Sequence, residues 1–213
     1  MPLFLKNRLL FIHIPKCGGD SITFHMRNNG DEPFLFVADG AVMVNGHTPQ
    51  HMTWKELLRC GWKSPSDFRI AATVRHPVDR VISEYHYTRI YRPDLVDLDK
   101  SPKAFLDEFL RAQPEVRARY DNHNLGLVEF LSDITGEVSQ SIEVFTIHQM
   151  DELITSLGLP RLNLKDRRNV TSTANSKGDF RGFDKEDVSR ICEFYRKDLD
   201  WLANNFPFIK RDY

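Results

Sequence analysis

Phe11-Ile12-His13-Ile14-Pro15-Lys16-Cys17-Gly18-Gly19-Asp20-Ser21 is the stretch on which the reading of this chain turns. Arg8 to Ile14 is a short, mostly apolar run that suits a buried strand, and Pro15 ends its pairing because proline has no N–H to give to a ladder. A glycine pair follows and opens a helix. Gly18 and Gly19 let the backbone come close to a ligand, and the N–H groups of the next turn, with the helix dipole behind them, favour a phosphate or sulfate there. Lys16 adds a mobile positive charge. The order of residues excludes an ordinary nucleoside-triphosphate loop, which would place Lys directly after the second glycine and follow it with Ser or Thr.

Outward from this stretch, 213 residues point to a single α/β domain over 1–213 with one sizeable core. The 29 basic and 30 acidic residues nearly cancel, so net charge suggests no nucleic-acid or polyanion partner. Cys17, Cys60 and Cys192 are odd in number and far apart, which argues against a disulfide framework or a Cys-rich zinc site and fits a reducing compartment. Met1 to Arg8 runs almost straight into the first strand and leaves no room for a signal peptide or membrane anchor. The expected location is therefore the cytoplasm, where the Asn169-Val170-Thr171 sequon would be accidental.

Along the chain, the helix after the glycines should reach Arg27 and stop at Asn28-Asn29-Gly30. Phe34–Val37 and Val42–Asn45 read as short strands, the second ending in Gly46-His47-Thr48-Pro49, a turn because Pro49 disfavours helical geometry at Thr48. His47 thus sits at a strand's carboxyl end, where open α/β sheets put their ligands. Thr53-Trp54-Lys55-Glu56 is a capping box for a helix to about Cys60. Phe68–Val74 is a strand stopped at Arg75-His76-Pro77, and Pro77 begins a helix carrying Arg80, Ser83, Glu84 and Tyr87 on one side. A guanidinium at the strand end and a hydroxyl two turns along that helix can converge on one phosphate. Further helices are expected from Ser101-Pro102 to Leu110, over Leu127–Leu131 and over Met150–Leu157, with a last strand at Ile142–Thr146. Asn163–Gly182 is polar and irregular, and Asp184 caps one long amphipathic helix with Val188, Ile191, Tyr195, Leu199 and Leu202 on its buried stripe.

The order His-Ile-Pro-Lys-x-Gly-Gly-x-Ser at positions 13–21 resembles the 5′-phosphosulfate loop of the sulfotransferases, especially the carbohydrate and membrane-associated type. Arg75-His76-Pro77-Val78-Asp79-Arg80-Val81-Ile82-Ser83-Glu84-Tyr85 matches the pattern with which that family binds the 3′-phosphate of its donor. The resemblance implies a three-layer, P-loop-like fold with a central, mostly parallel sheet of four or five strands flanked by helices. It also implies 3′-phosphoadenosine 5′-phosphosulfate as co-substrate, held at Lys16, Cys17, Gly18, Gly19, Asp20 and Ser21 and at Arg75 and Ser83. Ser176-Lys177-Gly178 resembles a basic loop that touches the 3′-phosphate in relatives, although a solvated charged loop is the alternative. Gly46-His47 is similar to the Gly-His of the uronyl 2-O-sulfotransferase branch, which makes His47 the candidate general base, with Glu84 and Asp20 in reserve. Lys16 would stabilise charge on the departing phosphate.

The chain departs from the family pattern at Cys17 and Asp20, where relatives usually carry Thr; a carboxylate at Asp20 repels a phosphosulfate unless it is turned away or paired with a cation. His47 and His51 are four apart, a metal spacing on a helix, but Pro49 lies between them and no third ligand is evident, so no metal is expected. The acceptor would be a hydroxyl, possibly on a sugar, with Tyr85, Tyr87 and Tyr91 bordering its pocket. Two other classes remain open: a catalytically silent binder of the donor or its product, and a P-loop-type phosphotransferase, which would need a magnesium-binding Ser/Thr after Lys.

Overall fold

The computed structural model describes residues 1–36, 46–92, 101–163 and 182–209. The strands are β1 (Leu3–Phe4), β2 (Leu9–Ile12), β3 (Arg69–Val74) and β4 (Glu143–Thr146). Among the described residues the helices are α1 (Gly19–Asn28), α2 (Trp54–Arg59), α3 (Pro77–Tyr91), α4 (Pro102–Phe109), α5 (Pro114–Arg119), α6 (Leu127–Leu131), α7 (Met150–Ser156), α8 (Lys185–Phe194) and α9 (Arg196–Asn205).

β2 is wholly apolar and β3 is apolar and buried except for Arg69 at its start and the buried Thr73, as suits strands covered on both faces. They pair in parallel with Leu9 opposite Arg69 and Ile12 opposite Ala72. β4 continues the sheet in parallel beside β3, and β1 closes the other edge antiparallel to β2, giving the order β1-β2-β3-β4. Successive side chains point to opposite faces. Leu10, Ile12, Ile70, Ala72 and Val74 therefore pack with Trp54 and Leu57 of α2, Phe130 and Leu131 of α6 and Leu202 of α9. Leu9, Phe11 and Ala71 pack the other way, on Ile22 and Met26 of α1 and Leu153 and Ile154 of α7. These are the three layers expected of an α/β fold. A third apolar cluster joins Val78, Val81 and Tyr85 of α3 to Phe105 and Phe109 of α4 and to Val188 and Ile191 of α8, which fixes α3 along its length.

Local signals set most element ends. The Thr53 hydroxyl accepts from Glu56 N while the Glu56 carboxylate accepts from Thr53 N, completing the capping box of α2. Pro77 occupies the first turn of α3 and the His76 ring caps it. Three expectations are corrected. The helix after Asp184 is broken at Tyr195 (φ −100°, ψ 29°) into α8 and α9, and the Tyr195 hydroxyl donates to the Asn124 carbonyl at 2.9 Å. Phe34 forms only an isolated antiparallel bridge to Leu3, because Leu35 turns left-handed (φ 55°) and ends any strand there. The short strand β1 and the helix α5 were not expected at all. Val42–Asn45 and the Asn169 sequon lie outside the described residues. Among those described, no helix is long and apolar enough to cross a membrane.

Candidate active site

The loop after β2 carries the site's first half. Lys16 (φ 63°) and Gly18 (φ 87°) both take the left-handed conformation, and Gly18 is the N-cap of α1. The Cys17 carbonyl accepts from Thr73 Oγ1 at 2.7 Å and the Pro15 carbonyl from Arg80 Nε at 3.0 Å. Two carbonyls that would repel an anion are thus taken up by protein donors. The N–H groups of Gly18 and Gly19 have no acceptor among the described residues, as the first turn of a helix leaves them. A Cβ on Gly19 would collide with the His13 ring, so this glycine makes room for protein packing rather than for a ligand. Cys17 is fully buried in the sheet core, where burial pushes its thiol up to about 11; its side chain takes no part in the loop's surface. Asp20 Oδ1 lies 3.7 Å from His13 Nε2.

The second half follows β3. Arg75 is half-buried directly after the strand, and its charge acts on both Lys16 and Cys17. Ser83 and Glu84 are buried on α3, at 3 % exposure each. Arg80, which the sequence places on the same face, does something else. It is 2 % exposed and donates to the carbonyls of Pro15, Leu125 and His123, clamping the loop to the segment before α6.

Lys16 Nζ sits 3.6 Å from the centre of the Tyr87 ring, a cation–π contact. Burial lowers its pKa, while the carboxylates of Glu84 and Asp20 pull in the other direction. Glu84 Oε2 is 2.7 Å from His123 Nδ1 and its other oxygen accepts from Thr88 Oγ1 at 3.0 Å. Burial alone would raise the Glu84 carboxyl, but His123, Lys16 and the Thr88 hydroxyl hold it down at about 2, so it is a carboxylate at neutral pH. Three histidine rings then run edge to face from beside the glycine turn: His13 to His51 at 5.1 Å between centroids and His51 to His123 at 4.8 Å. Each ring faces a carboxylate, Asp20, Asp121 and Glu84 respectively. Burial drives His13 down to about 3 and His51 to about 4, so both are neutral.

His47 stands apart from this row. Its Nδ1 lies 3.1 Å from the Thr48 carbonyl and its Nε2 2.9 Å from Glu56 Oε1. Both partners are acceptors, an arrangement that favours the protonated ring; burial lowers its pKa, but the bonds to Glu56 and Thr48 outweigh this and the net shift is upward. Both ring nitrogens are thus engaged by protein partners. This geometry does not support the base role expected of His47. The expectation that no third ligand stands near His51 is likewise corrected, because Asp121 and His123 lie beside it. Both come from the run Tyr120-Asp121-Asn122-His123-Asn124, whose Asn/Asp content signals a turn and nothing more. Lys177 lies outside the described residues.

A mostly parallel sheet whose neighbouring strands end in a glycine turn and, at Arg75, just ahead of a helix defines a P-loop-like α/β fold, with both turns at the carboxyl edge where such sheets place ligands. The model described as the sulfotransferase family matches residues 4–202, and the chain belongs to that family, whose enzymes transfer sulfuryl groups. Comparison with curated proteins and with solved structures finds no match.

Proposed function

We propose that this chain, as one domain, moves the sulfuryl group of 3′-phosphoadenosine 5′-phosphosulfate to an acceptor hydroxyl, on a sugar or a small alcohol. The observation that carries the reading is the pairing of two anion-directed ends on adjacent parallel strands, tied to each other by the Thr73–Cys17 hydrogen bond. The turn at residues 16–21 suits the 5′-phosphosulfate because the N–H groups of Gly18 and Gly19 point no hydrogen bond at the described residues while the Pro15 and Cys17 carbonyls are taken up by protein donors. Arg75 and Ser83 suit the 3′-phosphate. The donor supplies an activated sulfuryl group with a phosphate as leaving group, and transfer is in line.

His123 is the base in this reading. Its Nδ1 donates to the Glu84 carboxylate, which leaves the lone pair on Nε2 for the acceptor's proton and stabilises the imidazolium that forms. At 12 % side-chain exposure it can be reached from outside, and Lys16, coupled to the same Glu84, holds positive charge for the departing phosphate.

A thermal-shift series in a chelator tests the donor assignment. 3′-Phosphoadenosine 5′-phosphate should raise Tm well above the effect of AMP, and Arg75→Ala should erase that preference. Equal stabilisation by AMP, or strict dependence on magnesium, would overturn it. Turnover of labelled donor against a panel of hydroxyl acceptors separates a transferase from a silent binder.

A further inference from the structure

His51, Asp121 and His123 each offer one donor atom, all three within 4.8 Å of one another, and His51 Nδ1 lies 2.7 Å from Asp121 Oδ2. Two imidazoles and one carboxylate are a nitrogen-rich set that suits zinc-like ions and not magnesium or calcium, which seek oxygen. The rings of His51 and His123 pack edge to face, with 4.8 Å between their centroids. Outer partners are in place as well. Glu84 holds His123 Nδ1 at 2.7 Å, the carboxylate–histidine arrangement that orients a ring for a metal on its other nitrogen. Thr48 N and Thr48 Oγ1 donate to the two oxygens of Asp121. Asp121 and Asn122 both adopt left-handed backbone (φ 50° and 62°), a conformation that Asp and Asn tolerate, and Asn122 Nδ2 donates to the His51 carbonyl at 3.1 Å, locking the turn against the residue it faces. Side-chain exposures of 17 % for Asp121 and 12 % for His123 leave a way in from solvent.

We propose that His51, Asp121 and His123 bind one divalent transition-metal ion of the zinc class, and that this ion silences sulfuryl transfer by occupying the lone pair of His123. The second half rests on His123 being the base; the first does not. Three protein ligands leave one coordination position for water. No electron changes hands: the ion exchanges bound water for ring lone pairs and the Asp121 carboxylate, and chelation frees those donors again.

The full-length protein, stripped with chelator, is titrated with Co²⁺ and read by its visible absorption, then with Zn²⁺ as a competitor. One equivalent should bind in the micromolar range or tighter, and Zn²⁺ should displace it. His51→Gln and His123→Ala, with folding checked by circular dichroism, should each weaken binding at least tenfold, roughly the loss that even an outer partner causes. His148→Ala, at an exposed histidine, should leave it unchanged. Absence of a stoichiometric site, or a site lost in His148→Ala and kept in the other two, would overturn the proposal. Zn²⁺ bound at this site without loss of transfer would overturn the silencing and point to another base, while the spectroscopic site stands.

Discussion

His47 and His123 carry the same side chain into opposite electrostatic settings. His47 has a carbonyl on one ring nitrogen and a carboxylate on the other, which favours its protonated form, whereas His123 has a carboxylate on Nδ1. Because the folded pKa of His47 is raised above 6.5, its contribution to stability is full below that value and is lost as pH rises through the folded pKa. His47→Ala should therefore lower Tm more at pH 6 than at pH 9, while turnover per folded molecule survives. His123→Ala should stay folded and lose a factor of about 10² to 10⁴ in turnover, with partial rescue by added imidazole. Steady-state rates on both variants, with folding followed by circular dichroism, check this. A folded His47→Ala protein that loses the larger factor would return the role to His47. The dipeptide Gly46-His47 marked a position in the chain; it carried no information about Glu56 Oε1, which decides the ring's protonation.

On α3 the spacing of Arg80, Ser83, Glu84 and Tyr87 was legible from Pro77 onward, since cap, proline and periodicity are local signals. What each side chain meets was not. Arg80 belongs by pattern to an anion site, yet it is spent on three carbonyls from two distant segments. Arg80→Met keeps the bulk of the side chain but leaves three buried acceptors without donors, and should cost about 3 kcal/mol or more. Arg80→Lys should recover little, because one ammonium cannot reproduce a planar fork. Denaturant unfolding measures both, and full stability in the Lys variant would show that charge alone suffices. The break at Tyr195 was hidden for the same reason: the apolar stripe runs on through it, and its hydroxyl's partner lies 71 residues earlier.

For the molecule as a whole, the two-layer-deep burial of His13 and His51 governs its response to acid. Both are neutral when folded, near 3 and 4, against 6.5 when exposed, so between pH 6.5 and about 4 the unfolded chain binds more protons and folding weakens as pH falls. Urea midpoints of the His47→Ala variant in a chelator, free of the opposing His47 titration, should decline from about pH 6.5 downward, well before most carboxylates titrate. A midpoint that holds level down to pH 4.5 would show that these rings are solvated. The sheet and its flanking helices could be read ahead of the structure because each strand announces itself in a few consecutive residues. The row of histidines could not, since its pairs join residues 39 and 70 apart. The same remoteness bears on synthesis. The Tyr195 hydroxyl holds the Asn124 carbonyl, and the Asp198 carboxylate accepts from the N–H groups of Leu127 and Val128, so the stretch around His123 takes its fastening from α8 and α9. A chain still on the ribosome, with its sheet complete but Tyr195 and Asp198 not yet delivered, would have its glycine turn formed while the His123 segment still waits for its anchors.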